Sequence, residues 1–220
     1  MPRTDRPGLS RDQVLAAALR LVDRDGVAGL TMRRLGAELG VEAATLYYHV
    51  PNKADVLNAL VDRAVVAALA AAPPGRPADW PVWLRELAVA LRAELLRHPN
   101  LLPLAATRPV VAPAGLASVE RVAAALCAAG FSPRRALHLI NIVATTVLGH
   151  TLAEAGHTPG HEDVSPDTEE LATRIDRSGH PVLRAAVAAG LGRPDDDQAR
   201  FELAMDALFT GLVARARPDA

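Results

Sequence analysis

Residues 31–53, TMRRLGAELGVEAATLYYHVPNK, read as two short helices joined by a tight turn, with hydrogen-bonding side chains gathered on the second. Thr31 can cap the first helix through its hydroxyl, and Gly40 can end it, because glycine tolerates the left-handed backbone of a helix terminus. Met32, Leu35 and Leu39 then share the inner face. The second helix is expected from about Glu42 to Val50, since the residue before Pro51 is pushed out of helical geometry, and Asn52 is placed to cap the next helix. Leu46 and Val50 point inward, whereas Thr45, Tyr48 and His49 share another face with Tyr47 beside them.

A helix docked in the major groove sets its early residues against base edges, and hydroxyls and rings along it can bond phosphates. Candidate DNA contacts are therefore Thr31, Arg33, Arg34, Ala43, Thr45, Tyr47, Tyr48, His49 and Lys53. Arg33 suits bidentate bonding to guanine or phosphate, and Ala43 offers apolar contact to a thymine methyl. Lys53 is the single lysine beside 23 arginines, and at a helix start its charge would support phosphate binding. Surface helical hairpins with no nucleic-acid role share the generic pattern.

Charge adds little. The net charge is −1, and residues 1–65 carry nine basic against eight acidic groups. Affinity for DNA would have to come from the placement of Arg11, Arg33, Arg34 and Lys53 on one surface, and from two copies acting together. Half of the 220 residues are hydrophobic, enough for a sizeable core. No apolar run approaches the roughly 18 residues of a membrane span, and the first ten residues lack a signal-peptide segment, so a cytoplasmic protein is expected. Cys127 is the only cysteine and reads as a core residue.

The fold is expected to be all-α. Ser10 and Gln13 fit a capping box that opens a helix ending at Asp25-Gly26, so 10–50 form a three-helix unit. A connecting helix spans about 52–72, stopped by Pro73, Pro74, Gly75 and Pro77. Further helices are expected at 79–98, 113–129, 133–155, 181–190 and 197–216, with a short one at 167–178. The segment 156–168, GHTPGHEDVSPDT, reads as a loop. These boundaries divide the chain into a helix-turn-helix domain, 1–52, and a larger helical domain, 73–220.

Leu137, Ile140, Ala144, Val147, Leu148 and Thr151 recur at helical spacing in 133–155, as do Phe201, Ala204, Met205, Leu208, Phe209 and Leu212 in 197–216. Both helices carry second apolar flanks, so more than one side must be buried, and a homodimer reading two half-sites about 34 Å apart is expected.

The run LSRDQVLAAALRLVDRDGVAGLTMRRLGAELGVEAATLYYHVPNKADVLNAL, residues 9–60, resembles the DNA-binding domain of the tetracycline-repressor (TetR) family of bacterial transcription regulators. LLRHP, ATRP at 106–109, CAAGFS at 127–132 and LINIVATTVLGHTL resemble that family's tetracycline-repressor type of C-terminal domain. The resemblance implies a regulator, most often a repressor, that binds a palindromic operator in double-stranded DNA and is released by a small molecule. It also implies that the helices 133–155 and 197–216 pair with their symmetry mates as a four-helix bundle.

Carried over position by position, the drug- and metal-contacting residues fall on Leu69, Leu87, Leu91, Leu104, Thr107 and Val122. Leu104 occupies the place of the histidine that would hold the drug's magnesium, and Ala153, adjacent to Glu154, that of an acidic contact. Leucine cannot ligate magnesium. The expected effector is thus small and largely apolar, met by a few polar groups among Thr107, Asn141, Thr145 and His150. No cofactor or resident metal is expected.

Two other classes compete. An enzyme or metal site could be imagined around Glu154, His157, His161, Glu162 and Asp163, but these lie in a Gly- and Pro-rich stretch. A helical protein-interaction module without DNA recognition is suggested by Glu42, which would repel phosphates, and by Ala43 and Ala44. Thr45, Tyr47, Tyr48 and Lys53 argue against it.

Overall fold

The computed structural model describes residues 9–72, 77–156, 168–191 and 193–215, and no strand occurs among them. The chain forms two compact units. The first comprises Met1–Pro73 and Ala90–Val122; the second comprises Pro74–Val89 and Ala123–Ala220.

The first unit opens with α1 (Arg11–Gly29), α2 (Met32–Leu39), α3 (Ala43–Leu46) and α4 (Lys53–Ala71). Local side chains set each start. The Ser10 N–H donates to Gln13 Oε1 at 2.8 Å, and the Gln13 N–H returns a bond to Ser10 Oγ at 3.2 Å. The Thr31 hydroxyl accepts from the Arg34 N–H at 3.1 Å, and Asn52 Oδ1 accepts from the Asp55 N–H at 2.9 Å. Each bond satisfies a donor that the first helical turn leaves free. Gly26, at φ 67 and ψ 174, breaks regular helix inside α1, and Gly40 ends α2 in the left-handed region at φ 67.

Val14, Ala18, Leu21 and Val22 of α1 join Leu35, Leu46, Val50, Val56 and Leu60 in one buried cluster. Leu101 and Leu104 belong to it as well. That explains why 90–122 groups with the N-terminal helices, whereas the sequence boundary falls at residue 73. The Asn100 side-chain amide donates to the Val22 carbonyl at 2.8 Å, and His98 Nδ1 lies 3.0 Å from Asp23. The short helix α6 (Leu102–Thr107) comes next; six residues are too few for periodicity to show in sequence.

Two helices contribute to both units, α5 (Trp80–Arg97) and α7 (Pro113–Ala128). The second unit continues with α8 (Pro133–Ala155), α9 (Thr168–Arg177), α10 (Pro181–Ala188) and α11 (Pro194–Arg215). Its buried residues include Trp83, Leu84, Leu126, Phe131, Leu139, Val143, Val147, Phe201, Met205 and Phe209. Trp80 meets Phe131 edge to face at 5.2 Å, and Arg85 pairs with Asp206. By length and hydropathy α8 alone among the described helices could cross a membrane. Ala136, Leu139, Val143, Val147 and Thr151 form a buried stripe along it, which is the pattern of a packed amphipathic helix. Leu137 and Ile142 on α8, and Leu203 and Val213 on α11, remain exposed. Pro73, Pro74 and Gly75, and 157–167 with His157, His161, Glu162 and Asp163, lie outside the described residues.

Candidate nucleic-acid interface and ligand-contact residues

The turn between α2 and α3 depends on two glycines. Gly40 takes the left-handed conformation, and Gly36 is buried where α2 meets the chain entering α3. A Cβ on Gly36 would sit 2.8 Å from the Val41 carbonyl oxygen and 3.1 Å from the Ala43 nitrogen. The Val41 N–H bonds the Gly36 carbonyl at 2.9 Å, closing the turn. Leu46 and Val50 are fully buried and anchor α3 and its last turn to the core.

The second helix is shorter than the spacing suggests. Regular α-helix covers Ala43–Leu46 only, rather than 42–50. From Tyr47 to His49 the chain tightens, with i→i−3 bonds from Tyr47 to Ala44 at 3.3 Å, Tyr48 to Thr45 at 3.3 Å and His49 to Leu46 at 2.9 Å. The physical reason is the extended backbone that must come next, with Asn52 at φ −165 and ψ 173; a tight last turn satisfies the terminal groups before it. Tight-turn geometry eclipses residues three apart, so Thr45 and Tyr48 align along one edge.

That edge faces outward. Tyr48 is 90 % exposed and Tyr47 52 % exposed, while Ala43, Thr45 and His49 are half-buried. A phenol ring left almost wholly in water contributes nothing to this core. Thr31 is exposed and its hydroxyl oxygen caps α2. Arg33 is exposed and makes no hydrogen bond or ion pair among the described residues. Arg34 differs: its guanidinium donates to the Gly29 carbonyl at 3.0 Å and pairs with Asp25, fastening α2 to the end of α1. Arg24 joins this surface network through Asp25 and Glu38, which raise its pKa further above an already high value. Lys53 is half-buried, its Nζ 3.3 Å from the Val27 carbonyl oxygen just beyond the Gly26 break.

Of the ligand-contact positions, Leu69, Leu91, Leu104, Thr107 and Val122 belong to the first unit, and Leu87, Asn141, Thr145 and His150 to the second. Leu104 and Val122 are buried, and Leu104 is part of the cluster that holds α1. The Thr107 hydroxyl donates to the Pro103 carbonyl at 2.7 Å, and that of Thr145 to the Asn141 carbonyl at 2.7 Å. His150 lies between α8 and α11, with Nε2 3.3 Å from the Asp197 carbonyl oxygen and its ring 5.1 Å from Phe201. Among the described residues no three His, Cys, Asp or Glu side chains converge as a metal site would require.

Sequence reasoning passed over Asp62. It is 3 % exposed on α4, and its Oδ2 accepts from the Ala112 N–H at 2.8 Å. Burial pushes its carboxyl pKa up, against the lowering effect of the Ala112 and Val111 N–H groups and of Arg11. The one advance signal was an acid, followed by Arg63, inside a mostly apolar stretch of helix, ALVDRAVVAAL.

Comparison with known proteins accords with this geometry. Residues 14–60 match the family of bacterial regulatory proteins, tetR family, and residues 73–216 match the tetracyclin repressor-like C-terminal domain. An HTH-type transcriptional regulator of Saccharopolyspora erythraea is 36 % identical over 213 residues, covering 96 % of this chain and 87 % of its own. The class D tetracycline repressor of Escherichia coli is 32 % identical, covering 93 % and 89 %. The crystal structure of apo ActR from Streptomyces coelicolor superposes with a TM-score of 0.76 at 25 % identity, covering 95 % and 97 %; the same protein has been solved in complex with actinorhodin. The chain belongs to the tetracycline-repressor family, and it is a ligand-responsive, DNA-binding transcriptional regulator.

Proposed function

We propose that two copies of this chain bind a palindromic operator and repress the adjacent gene until a small, largely apolar effector releases them. The observation that carries this reading is the outward edge of Thr45, Tyr47 and Tyr48 on a turn that Gly36 and Gly40 hold in place. Thr45, Tyr47, Tyr48 and His49 bond phosphates and base edges in the major groove, and Ala43 meets a thymine methyl. Arg33 supplies the guanidinium free to reach guanine or phosphate, and Thr31 and Lys53 flank it at helix starts, where backbone N–H groups favour anions. Arg34 serves by holding α2 against α1.

The dimer reading draws on the exposed apolar side chains of α8 and α11, among them Leu203 at 71 % exposure, which a partner would cover if they form one contiguous patch. Candidate effector contacts are Leu69, Leu91, Leu104, Thr107 and Val122 in the first unit and, separately, Leu87, Asn141, Thr145 and His150 in the second. Effector binding must favour the DNA-incompetent shape, because equal affinity for both shapes moves no equilibrium. The protein acts in the cytoplasm, without catalysis, resident metal or cofactor. Selection from random duplex DNA, with gel shift on the recovered sequences, tests the core of this reading. Recovery of a palindrome supports it, and indifference to all duplexes at low salt refutes it.

A further inference from the structure

The first unit contains a cavity of about 800 Å3, within the size range that holds drug-sized molecules. Leu15, Ala16 and Leu19 of α1 form one apolar wall, and Leu60 and Val66 of α4 with Leu101 form another. None of the nine ligand-contact positions lines it. Three carboxylates do, and two of them are more than nine-tenths buried, Asp62 at 3 % and Glu94 at 8 % exposure.

Their circumstances differ. Glu94 is paired with Arg97, 2.8 Å away, and His98 Nε2 lies 3.8 Å from it. Asp62 uses only one oxygen, because Oδ1 is buried with no hydrogen-bond partner among the described residues. That oxygen is backed by Gly115, where a Cβ would stand 2.5 Å from it, and Asp62 as a residue is among those lining the cavity. Arg11, Asp12 and Arg63 also line the space from its exposed side, and Arg11 acts on Asp62 from there by lowering its pKa. The Ala112 N–H satisfies one oxygen of this buried carboxylate and leaves the other without a donor, a deficit that a charged N–H group relieves most effectively.

We propose that this cavity binds an amphipathic monocation, an alkylammonium or amidinium, whose head pairs with Asp62 and whose apolar body lies along the α1 and α4 walls. Both walls and the acid lie in one compact unit. The site is separate from the proposed effector contacts, and it does not depend on the proposed DNA reading. An anionic head would meet the uncompensated oxygen of Asp62 and is disfavoured there, whereas Glu94 is already paired with Arg97.

Calorimetric titration of the full chain with n-decylammonium chloride, in the absence of DNA, tests the assignment. Saturable binding of one molecule per chain is expected, with n-decanoate giving none. Asp62→Asn keeps an acceptor for the Ala112 N–H but removes the charge, and should weaken n-decylammonium binding at least about tenfold, the equivalent of one charge-assisted bond. Ala16→Trp fills the cavity and should abolish binding. The assignment is overturned by equal affinity in Asp62→Asn, by comparable binding of n-decanoate, or by the absence of saturable binding to the unmodified chain. Should Asp62→Asn not fold by circular dichroism, Ala16→Trp decides alone, and binding retained in it overturns the assignment. Because no DNA is present, failure here leaves the operator experiment untouched, and the reverse holds.

Discussion

Replacing Gly36 with alanine sets two effects of opposite sign against each other. In a helix interior alanine is favoured over glycine by about 1 kcal/mol. At this position the new Cβ would meet the Val41 carbonyl oxygen at 2.8 Å, the Ala43 nitrogen at 3.1 Å and the Ala43 Cα at 3.3 Å. All three are backbone atoms, so no side-chain rotation relieves the overlap; α3 itself has to move away from α2. Overpacking of this kind costs about 1–3 kcal/mol, which exceeds the propensity gain over most of its range. The expected net destabilisation is up to about 2 kcal/mol, or a melting temperature lower by up to roughly 4–8 °C for a chain of this size. DNA binding should suffer more than stability, because the displaced segment carries Thr45, Tyr47 and Tyr48. Thermal melts and gel shifts on the same preparation measure both. A Gly36→Ala protein that melts higher than the parent and binds its operator unchanged would refute the close approach of α2 and α3.

Tyr48→Ala should leave the melting temperature nearly unaltered, since the ring is 90 % exposed, yet reduce operator affinity by about five- to tenfold, the worth of one hydrogen bond; a matching loss of stability would contradict the outward placement. Lys53→Ala should weaken binding to all duplexes and lower the salt slope by about one, whereas Arg33→Ala should lower affinity and relax specificity at one base position; unchanged binding in both rejects the docking. Burial raises the Asp62 pKa above its unfolded value, so its contribution to stability is fully present below the unfolded pKa and is lost as pH rises through the folded one. Asp62→Asn should therefore flatten this part of the pH–stability profile and be at least as stable as the parent at neutral pH, while Asp62→Ala, which strands the Ala112 N–H, should lose about 1–3 kcal/mol; denaturant melts across acidic to neutral pH decide it. Magnesium-tetracycline should not bind tightly, because Leu104 offers no donor to the metal, and submicromolar, magnesium-dependent binding by fluorescence would reverse that expectation.

The helix starts and the turn glycine were legible because the forces behind them are local. Ser10 with Gln13, Thr31 with Arg34 and Asn52 with Asp55 all bond at a separation of three residues, which a linear reading can see. The inward side chains Leu46 and Val50 were legible for the same reason, through helical spacing. The length of α3 was not. Its last turn is tightened by the geometry of the chain leaving it toward α4, a constraint absent from residue preferences.

By itself, the order of residues determined an all-α chain, the places where most helices begin, and a capped helix-turn-helix presenting Tyr47 and Tyr48, since caps, glycine turns and apolar periodicity act within a few residues. Only the folded chain decided which arginine is left free and which acid is buried. Arg33 and Arg34 are neighbours in sequence, but Asp25 and the Gly29 carbonyl capture Arg34 alone. Asp62 becomes a buried, half-satisfied carboxylate because the backbone at Ala112 and the bare Cα of Gly115, some fifty residues further along, close over it. Desolvation and hydrogen bonding depend on what packs against a group through space, and that partner is not written in its neighbours along the chain.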